Sequence, residues 1–325
     1  MKEGTKLVVS PSPHVKDAIS VRGIMSAVIV ALIPATVSGI YLFGLHALAV
    51  IIASILSAVG TEFVALKLMG RKFVMDGSAV LTGLLLALCL PPTVPLWMPI
   101  VGAAFGIAIG KCAFGGLGHN IFNPALVGRV FLALSWPALM TRWVTPFDAV
   151  STATPLAKGF GSVPIFDLFV GNVAGCIGET SALAILIGGA FLIAMRYIDW
   201  RVPLFYIGTV GFLMLFLGQN SILDASDLDS LVEVGKESLF HMFAGGLFLG
   251  AFFMATDYVT TPMTKLGRII FAVGAGILVV AIRTVGGYPE GVAFSILIMN
   301  GFTPLIDRVI KPRVYGTKRG FVGGG

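Results

Sequence analysis

Residues 22–43 read RGIMSAVIVALIPATVSGIYLF, and residues 46–69 follow at once with HALAVIIASILSAVGTEFVALKLM. The first stretch carries a single charge, Arg22 at its start; the second carries only Glu62 and Lys67, near its end. Apolar side chains fall on every face of a helix drawn through either stretch, which is not the one-sided pattern of a soluble surface helix. Each is long enough to cross a hydrocarbon layer of ~30 Å, which takes about 20 helical residues. Inside lipid the backbone must satisfy its own hydrogen bonds, so only a helix or a closed barrel serves. Barrel strands would alternate polar and apolar residues, and these stretches do not. They are membrane helices.

Working outward, the same pattern recurs along the chain. Of 325 residues, 57% are hydrophobic and 12% charged, about half the charged fraction of a soluble domain. Spans are expected near 22–43, 46–69, 77–90, 95–113, 120–139, 181–198, 202–219, 239–255, 266–285 and 289–307. The fold class is therefore an all-α integral membrane protein of about ten transmembrane helices. The third stretch is short, stops at Pro91-Pro92, and reads as a broken helix. The charged start MKEGTKLVVSPSPHVKDAISV precedes a first span long enough to remain in the bilayer, so no cleaved signal peptide is expected. The formal charge of +6 belongs to loops and the C-terminus and reads as topology, with no nucleic-acid partner implied.

Lys and Arg collect on the cytoplasmic side of membrane proteins. With the N-terminus inside, Lys2, Lys6, Lys16, Arg22, Lys67, Arg71, Lys72, Lys111, Arg196, Arg201, Lys265, Arg268, Arg308, Lys311, Arg313, Lys318 and Arg319 all fall on that side. Only Arg142, Lys158 and Lys236 lie in outer loops, which instead hold Asp148, Asp167, Glu179, Asp224, Asp227, Asp229, Glu233 and Glu237. Both termini are expected in the cytoplasm and the 140–180 segment outside. Pro91 precedes Gly115-Gly116 by 24 residues, and Pro262 precedes Gly286-Gly287 by the same 24. Five spans on each side of the 140–180 loop would make the second half an inverted copy of the first, an arrangement that puts functional sites at the interface of the halves. The chain thus divides into an N-terminal segment (1–21), a first five-helix repeat (22–139), an outer loop (140–180), a second repeat (181–307) and a basic tail (308–325).

Candidate chemistry is sparse. Cys89, Cys112 and Cys176 are scattered, without the four-ligand spacing of zinc or iron–sulfur sites, and read as small packing residues; no metal site is expected. Asn-Pro-Ala at 123–125 is explained by a helix start rather than by a water pore. Glu62, His119, Arg129, Asp257, Arg283 and Glu290 lie in or near spans, where charge demands a partner or a function. Arg283 with Glu290 is the natural pair from sequence proximity, and Asp257 either steadies a loop or meets a cation. The longest polar interruption holds DAVSTATPLA, residues 148–157. Read plainly, it is an outer loop in which Ser151 or Thr152 caps a short helix with Pro155 early in it. Read for chemistry, it offers a hydroxyl that another protein would have to activate before a covalent group could be attached.

The run Asp148-x-x-Ser151-x-Ala153-Thr154 resembles the flavinylation motif of the membrane subunits of Rnf and sodium-pumping NADH:quinone reductase complexes. Further landmarks resemble that family in order: DGSAVLTGLLLALCLPP at 76–92, FGGLGHNIFNPALVGRVF at 114–131, GETSALAILIGG at 178–189, ATDYVTTP at 255–262 and GGYPEGVAFSILIMN at 286–300. The short length is similar to that of the RnfD members of the family. The resemblance implies FMN joined to Thr154 by a phosphoester, installed by a flavin transferase outside the cytoplasmic membrane of a bacterium or archaeon. Asp148, Ser151 and Ala153 complete the motif; Thr152 stands where the family often has glycine. The resemblance further implies a non-covalent riboflavin in the membrane domain, for which Asn120, Asn123, Thr260 and Thr261 offer hydrogen bonds. The assembled complex would pass electrons between ferredoxin and NAD and move Na+ or H+. With no Rossmann fingerprint and no cysteine cluster, this chain would depend on partner subunits: membrane iron–sulfur subunits, an extracytoplasmic subunit with covalent FMN, and cytoplasmic subunits that meet NAD and ferredoxin. No catalytic residue of its own is expected. A solute channel or a passive scaffold would also explain the spans, but not the 148–154 run.

Overall fold

A computed structural model describes residues 20–148, 150–223, 227–286 and 290–311. Lys2, Lys6, Lys16, Asp224, Gly287, Arg313, Lys318 and Arg319, used above, lie outside the described residues. The first helices are α1 (Val21–Phe43), α2 (Leu45–Leu68), α3 (Ser78–Leu88), α4 (Trp97–Ile107, continued by a π turn Ala108–Cys112), α5 (Pro124–Ser135) and α6 (Pro137–Met140). The loop that follows holds a two-residue hairpin, β1 (Trp143–Val144) and β2 (Ser151–Thr152), and two short helices, α7 (Pro155–Lys158) and α8 (Ile165–Val170). Then come α9 (Ala182–Ala194), α10 (Arg201–Leu217), α11 (Leu228–Phe243), α12 (Leu247–Leu249, continued by a π turn Gly250–Met254), α13 (Lys265–Val285) and α14 (Val292–Val309).

Four helices, α1, α2, α13 and α14, are long and apolar enough to cross a membrane, and α11 with α12 and its π turn makes a fifth bent by 60°. Five more apolar helices, α3, α4 with its π turn, α5, α9 and α10, are shorter, 10–17 residues each. Each of the ten expected stretches thus holds an apolar helix among the described residues, but only four, or five with the bent pair, are long enough to cross a membrane. The cause is local: Pro91-Pro92 stops α3, Asn123 and Pro124 start α5 late, and Ser181 caps α9. An 11-residue helix such as α3 rises only ~16 Å, about half the hydrocarbon layer.

The sequence reading also starts one element, the expected 239–255 span, too late. Residues 220–238 were expected as outer loop, yet α11 begins at Leu228 behind a capping box of Asp227 and Ser230. Its acids obscured a helix whose Glu237 is fully buried and accepts the backbone N–H groups of Gln219 (2.6 Å) and Asn220 (2.8 Å), closing the end of α10.

Helix pairing repeats along the chain. In the first half α2 packs on α3 and α4, and α4 on α5; in the second α10 packs on α11 and α13, and α13 on α14. Across the halves α1 lies on α9, and α5 touches α14. Small residues permit the closest approaches, as expected where lipid supplies no hydrophobic drive between helices. A Cβ on Gly106 would stand 2.5 Å from the Pro124 carbonyl oxygen, and one on Gly128 2.5 Å from that of Gly102, so α4 and α5 meet backbone to backbone. Outward, Val30, Ile33 and Val37 of α1 and Leu56, Phe63 and Val64 of α2 are exposed, an apolar belt that needs lipid around it.

Three buried or half-buried ionic clusters tie the bundle together. Lys111, counted above with the cytoplasmic charges at the end of the 95–113 span, is buried on the π turn of α4, paired with Glu62 of α2 and donating to Ser78 Oγ at 2.6 Å. Arg129 of α5 pairs with Glu290, not Arg283 as sequence proximity suggested. Arg283 donates to the carbonyls of His241 (2.5 Å) and Ala244 (3.0 Å), bracing the bend between α11 and α12. Asp199, in the turn before α10, bridges Arg201 and Arg268 at 3.2 Å each and ties α10 to the start of α13. Burial works against the Asp199 charge, but the Arg201 backbone N–H and the Arg268 and Arg201 guanidinium groups outweigh it and hold the carboxyl below its ordinary range.

Candidate functional site

The 140–181 loop folds back on the bundle in a defined way. Trp143 pairs with Thr152 and Val144 with Ser151 in the small antiparallel hairpin. Its tip rests on α1: Phe147, at a left-handed φ of 66°, donates its N–H to the Leu42 carbonyl (3.1 Å), and its ring meets Tyr41 edge-on at 5.5 Å. Ser151 and Thr152 therefore pair in a strand rather than cap a helix, which corrects the plain reading above. Thr154 is the cap: its Oγ1 accepts the Ala157 N–H at 3.3 Å, with Pro155 at the first helical position of α7.

Asp148, Ser151 and Ala153 are exposed in a line leading to Thr154. Thr154 itself is only 4% exposed, where an accessible hydroxyl was expected. The covering comes from a recess behind it, lined by Leu168, Val173, Phe243, Glu179, Thr180 and Glu290. The same loop then reaches into the bundle. Ile177 and Gly178 donate their N–H groups to the Leu90 (3.0 Å) and Leu88 (2.8 Å) carbonyls, satisfying the end of the broken helix α3. A Cβ on Gly178 would sit 2.5 Å from Leu88 Cβ, so only glycine permits that contact.

Below this junction the buried groups converge. The Cys176 N–H donates to Glu179 Oε1 at 3.1 Å, Arg129 Nη2 lies 3.7 Å from Cys176 Sγ, and Glu290 completes the ion pair with Arg129. Cys89 is a neighbour on α3's end, with Sγ 3.9 Å from Met254 Sδ, and all three cysteines are free and buried. Sequence reasoning placed Glu179 among outer-loop acids and missed this convergence; only the return of the loop to α3 creates it.

The polar residues expected for a second ligand do not line one common cleft. Asn123 caps α5, accepting the Ala125 N–H at 3.0 Å, and donates to the Met254 carbonyl at 3.3 Å. The Asn-Pro-Ala run is thus a helix start. Asn123 lines a cleft with Ser78, Thr82, Thr256 and Asp257. Asn120, Thr260 and Thr261 do not line it: Asn120 donates to the Phe122 carbonyl (3.2 Å), Thr260 to Asp257 Oδ2 (3.3 Å), and Thr261 to the Asp257 carbonyl (2.6 Å). Ser78 and Thr82 are cleft residues that the sequence did not single out, and they stand there with Asp257, which it did. The two Gly-rich turns also differ where both are described: Gly115 and Gly116 are left-handed, with φ of 114° and 101°, whereas Gly286 ends α13 at φ −81°.

The sequence pattern of the NQR2, RnfD, RnfE family matches residues 8–316. The chain is 47% identical, over 96% of each chain, to the D subunit of a proton-translocating ferredoxin:NAD(+) oxidoreductase complex of Clostridium ljungdahlii. It is likewise 47% identical, over 96% of each chain, to the D subunit of a Na(+)-translocating ferredoxin:NAD(+) oxidoreductase complex of Acetobacterium woodii. To the D subunit of an ion-translocating oxidoreductase complex of Stutzerimonas stutzeri it is 42% identical over 91% of this chain and 92% of the other.

Proposed function

We propose, from the premise that the chain belongs to the NQR2, RnfD, RnfE family and is a membrane subunit of an ion-translocating ferredoxin:NAD oxidoreductase complex, that Thr154 carries FMN through a phosphoester on Oγ1. The observation that carries this reading is the setting of the motif. Asp148, Ser151 and Ala153 stand exposed where a modifying enzyme would read them, and the one hydroxyl they lead to is fixed at the mouth of α7. Exposed Ala153 and Ala157 on either side leave room for a bulky substituent. Because Thr154 is covered, the transferase must lift the 148–158 segment from the recess.

A bound flavin supplies one- and two-electron transfer, and the chain positions it. Thr154 fixes the attachment point, and the recess behind it excludes water on one side. A second flavin, riboflavin, is assigned to the cleft of Asn123, Ser78, Thr82 and Asp257, whose few polar groups among apolar walls could orient a planar ligand. Electrons arrive from an extracytoplasmic flavin subunit and leave inward to the membrane iron–sulfur partners. The bundle is read as ten membrane passes in two inverted five-helix halves, 22–139 and 181–307. The matching order of helix pairing in both halves, with first helix on first and fifth on fifth, supports that reading. The Lys and Arg distribution supports cytoplasmic termini and an extracytoplasmic 140–180 loop.

The test is fluorescence on a denaturing gel of the chain purified from cells that possess the transferase. A flavin band is expected from the natural chain and from Thr152→Ala, and none from Thr154→Ala. A dark natural band would overturn the reading and favour a solute channel or scaffold.

A further inference from the structure

The recess behind Thr154 contains three buried oxygens that, among the described residues, have no hydrogen-bond partner: Glu179 Oε2, Glu290 Oε1 and Thr180 Oγ1. Glu179 and Thr180 are 4% and 3% exposed, so water outside the fold does not serve them. A carboxylate oxygen of Glu179, one of Glu290 and the Cys176 sulfur lie within 4.8 Å of one another. Leaving buried polar atoms unsatisfied is costly, and carboxylates this close repel unless something positive stands between them. From these observations we propose that Glu179, Thr180 and Glu290 form a binding site for a hard monovalent cation, with Na+ as its probe.

The donor set decides the class. Oxygen ligands suit alkali and alkaline-earth ions rather than soft metals. Cys176 is not a ligand, because its sulfur faces Arg129 Nη2 at 3.7 Å and its N–H is spent on Glu179 Oε1. Charge decides the valence. Arg129 already neutralises Glu290, which leaves the Glu179 charge for the ion. Arg283 of α13 stands behind, held by the His241 and Ala244 carbonyls, and further disfavours a divalent ion; His241 of α11 and Cys89 complete the titratable surroundings. A proton shared by the two carboxyl groups would satisfy two of the three oxygens and leave Thr180 Oγ1 unserved. A cation can take a lone pair from each of the three. A side chain at Gly246 would collide with Glu179 Oε2, so glycine there keeps the carboxylate in place.

The site lies in the same recess as the flavin attachment point but does not depend on it. The test is the thermal midpoint of the purified full-length chain in detergent, titrated with NaCl against choline chloride at constant ionic strength and pH. A saturable, Na+-specific rise is expected, persisting in Thr154→Ala. Thr180→Val should raise the half-saturating Na+ concentration at least tenfold, and Glu179→Gln should abolish the response. Identical curves in NaCl and choline chloride would overturn the proposal, as would a Glu179→Gln or Thr180→Val protein with unaltered Na+ dependence. A midpoint that shifts with pH but not with Na+ would assign the recess to a proton and overturn it equally. Loss of signal in Thr154→Ala on the fluorescent gel bears on the flavin alone, so the two readings fail separately.

Discussion

At the scale of single residues, the side chains that matter are those whose partners are far away in sequence. Arg129 and Glu290 are 161 positions apart, yet they make one buried ion pair. Removing one member leaves a buried charge, which costs about 3–5 kcal/mol. Arg129→Met is therefore expected to lower the thermal midpoint sharply, with Arg129→Met/Glu290→Leu recovering part of the loss; an additive double variant would contradict the pairing. The sequence pointed to Arg283 because it lies close to Glu290 along the chain, and proximity along a chain says little about a helical bundle. Thr154, by contrast, was legible as a candidate because its motif is local, seven residues from Asp148 to Thr154. Its burial was not, since the cover comes from α8, α11 and the loop around Glu290.

At the scale of elements, continuous apolar runs announced α1, α2, α13 and α14, and their bounds differ from the expected ones by only a few residues. The shorter helices were harder, because caps and prolines rather than hydropathy set their ends. The first turns of α11 were missed because its acidic start resembles a loop, while its helical character rests on the capping box and the buried Glu237. Two element-scale tests follow. Gly106→Val places a branched side chain against the Pro124 carbonyl; overpacking of this kind costs about 1–3 kcal/mol, so α4 and α5 should separate and the thermal midpoint fall, whereas an unchanged midpoint would contradict backbone contact there. Asp199 ties α10 to α13, and its folded carboxyl ionises below the ordinary range. Its contribution is fully present above the unfolded carboxylate value of about 4 and is lost as pH falls through the lower folded value. Acid unfolding of Asp199→Asn should therefore be less steep over that window than in the natural chain, with the two curves parallel above it.

At the scale of the whole molecule, the chain is a helical membrane subunit with little redox equipment of its own in the sequence. Its composition made the membrane class plain, and its spaced motifs made the family plain. What composition cannot convey is how the 140–180 loop returns to the broken end of α3 and assembles Arg129, Cys176, Glu179 and Glu290 in the bundle, because that depends on contacts between both halves of the bundle. The loop is thus part of the bundle's interior packing as well as of its exposed surface. Mass spectrometry of the complex purified from its own cells tests the central claim most directly. Trypsin cleaves after Arg142 and Lys158, releasing the peptide 143–158. The account predicts that this peptide carries the mass of FMN less one water, localised by fragmentation to Thr154. Recovery of the same peptide at its unmodified mass, from cells with an active transferase, would contradict it.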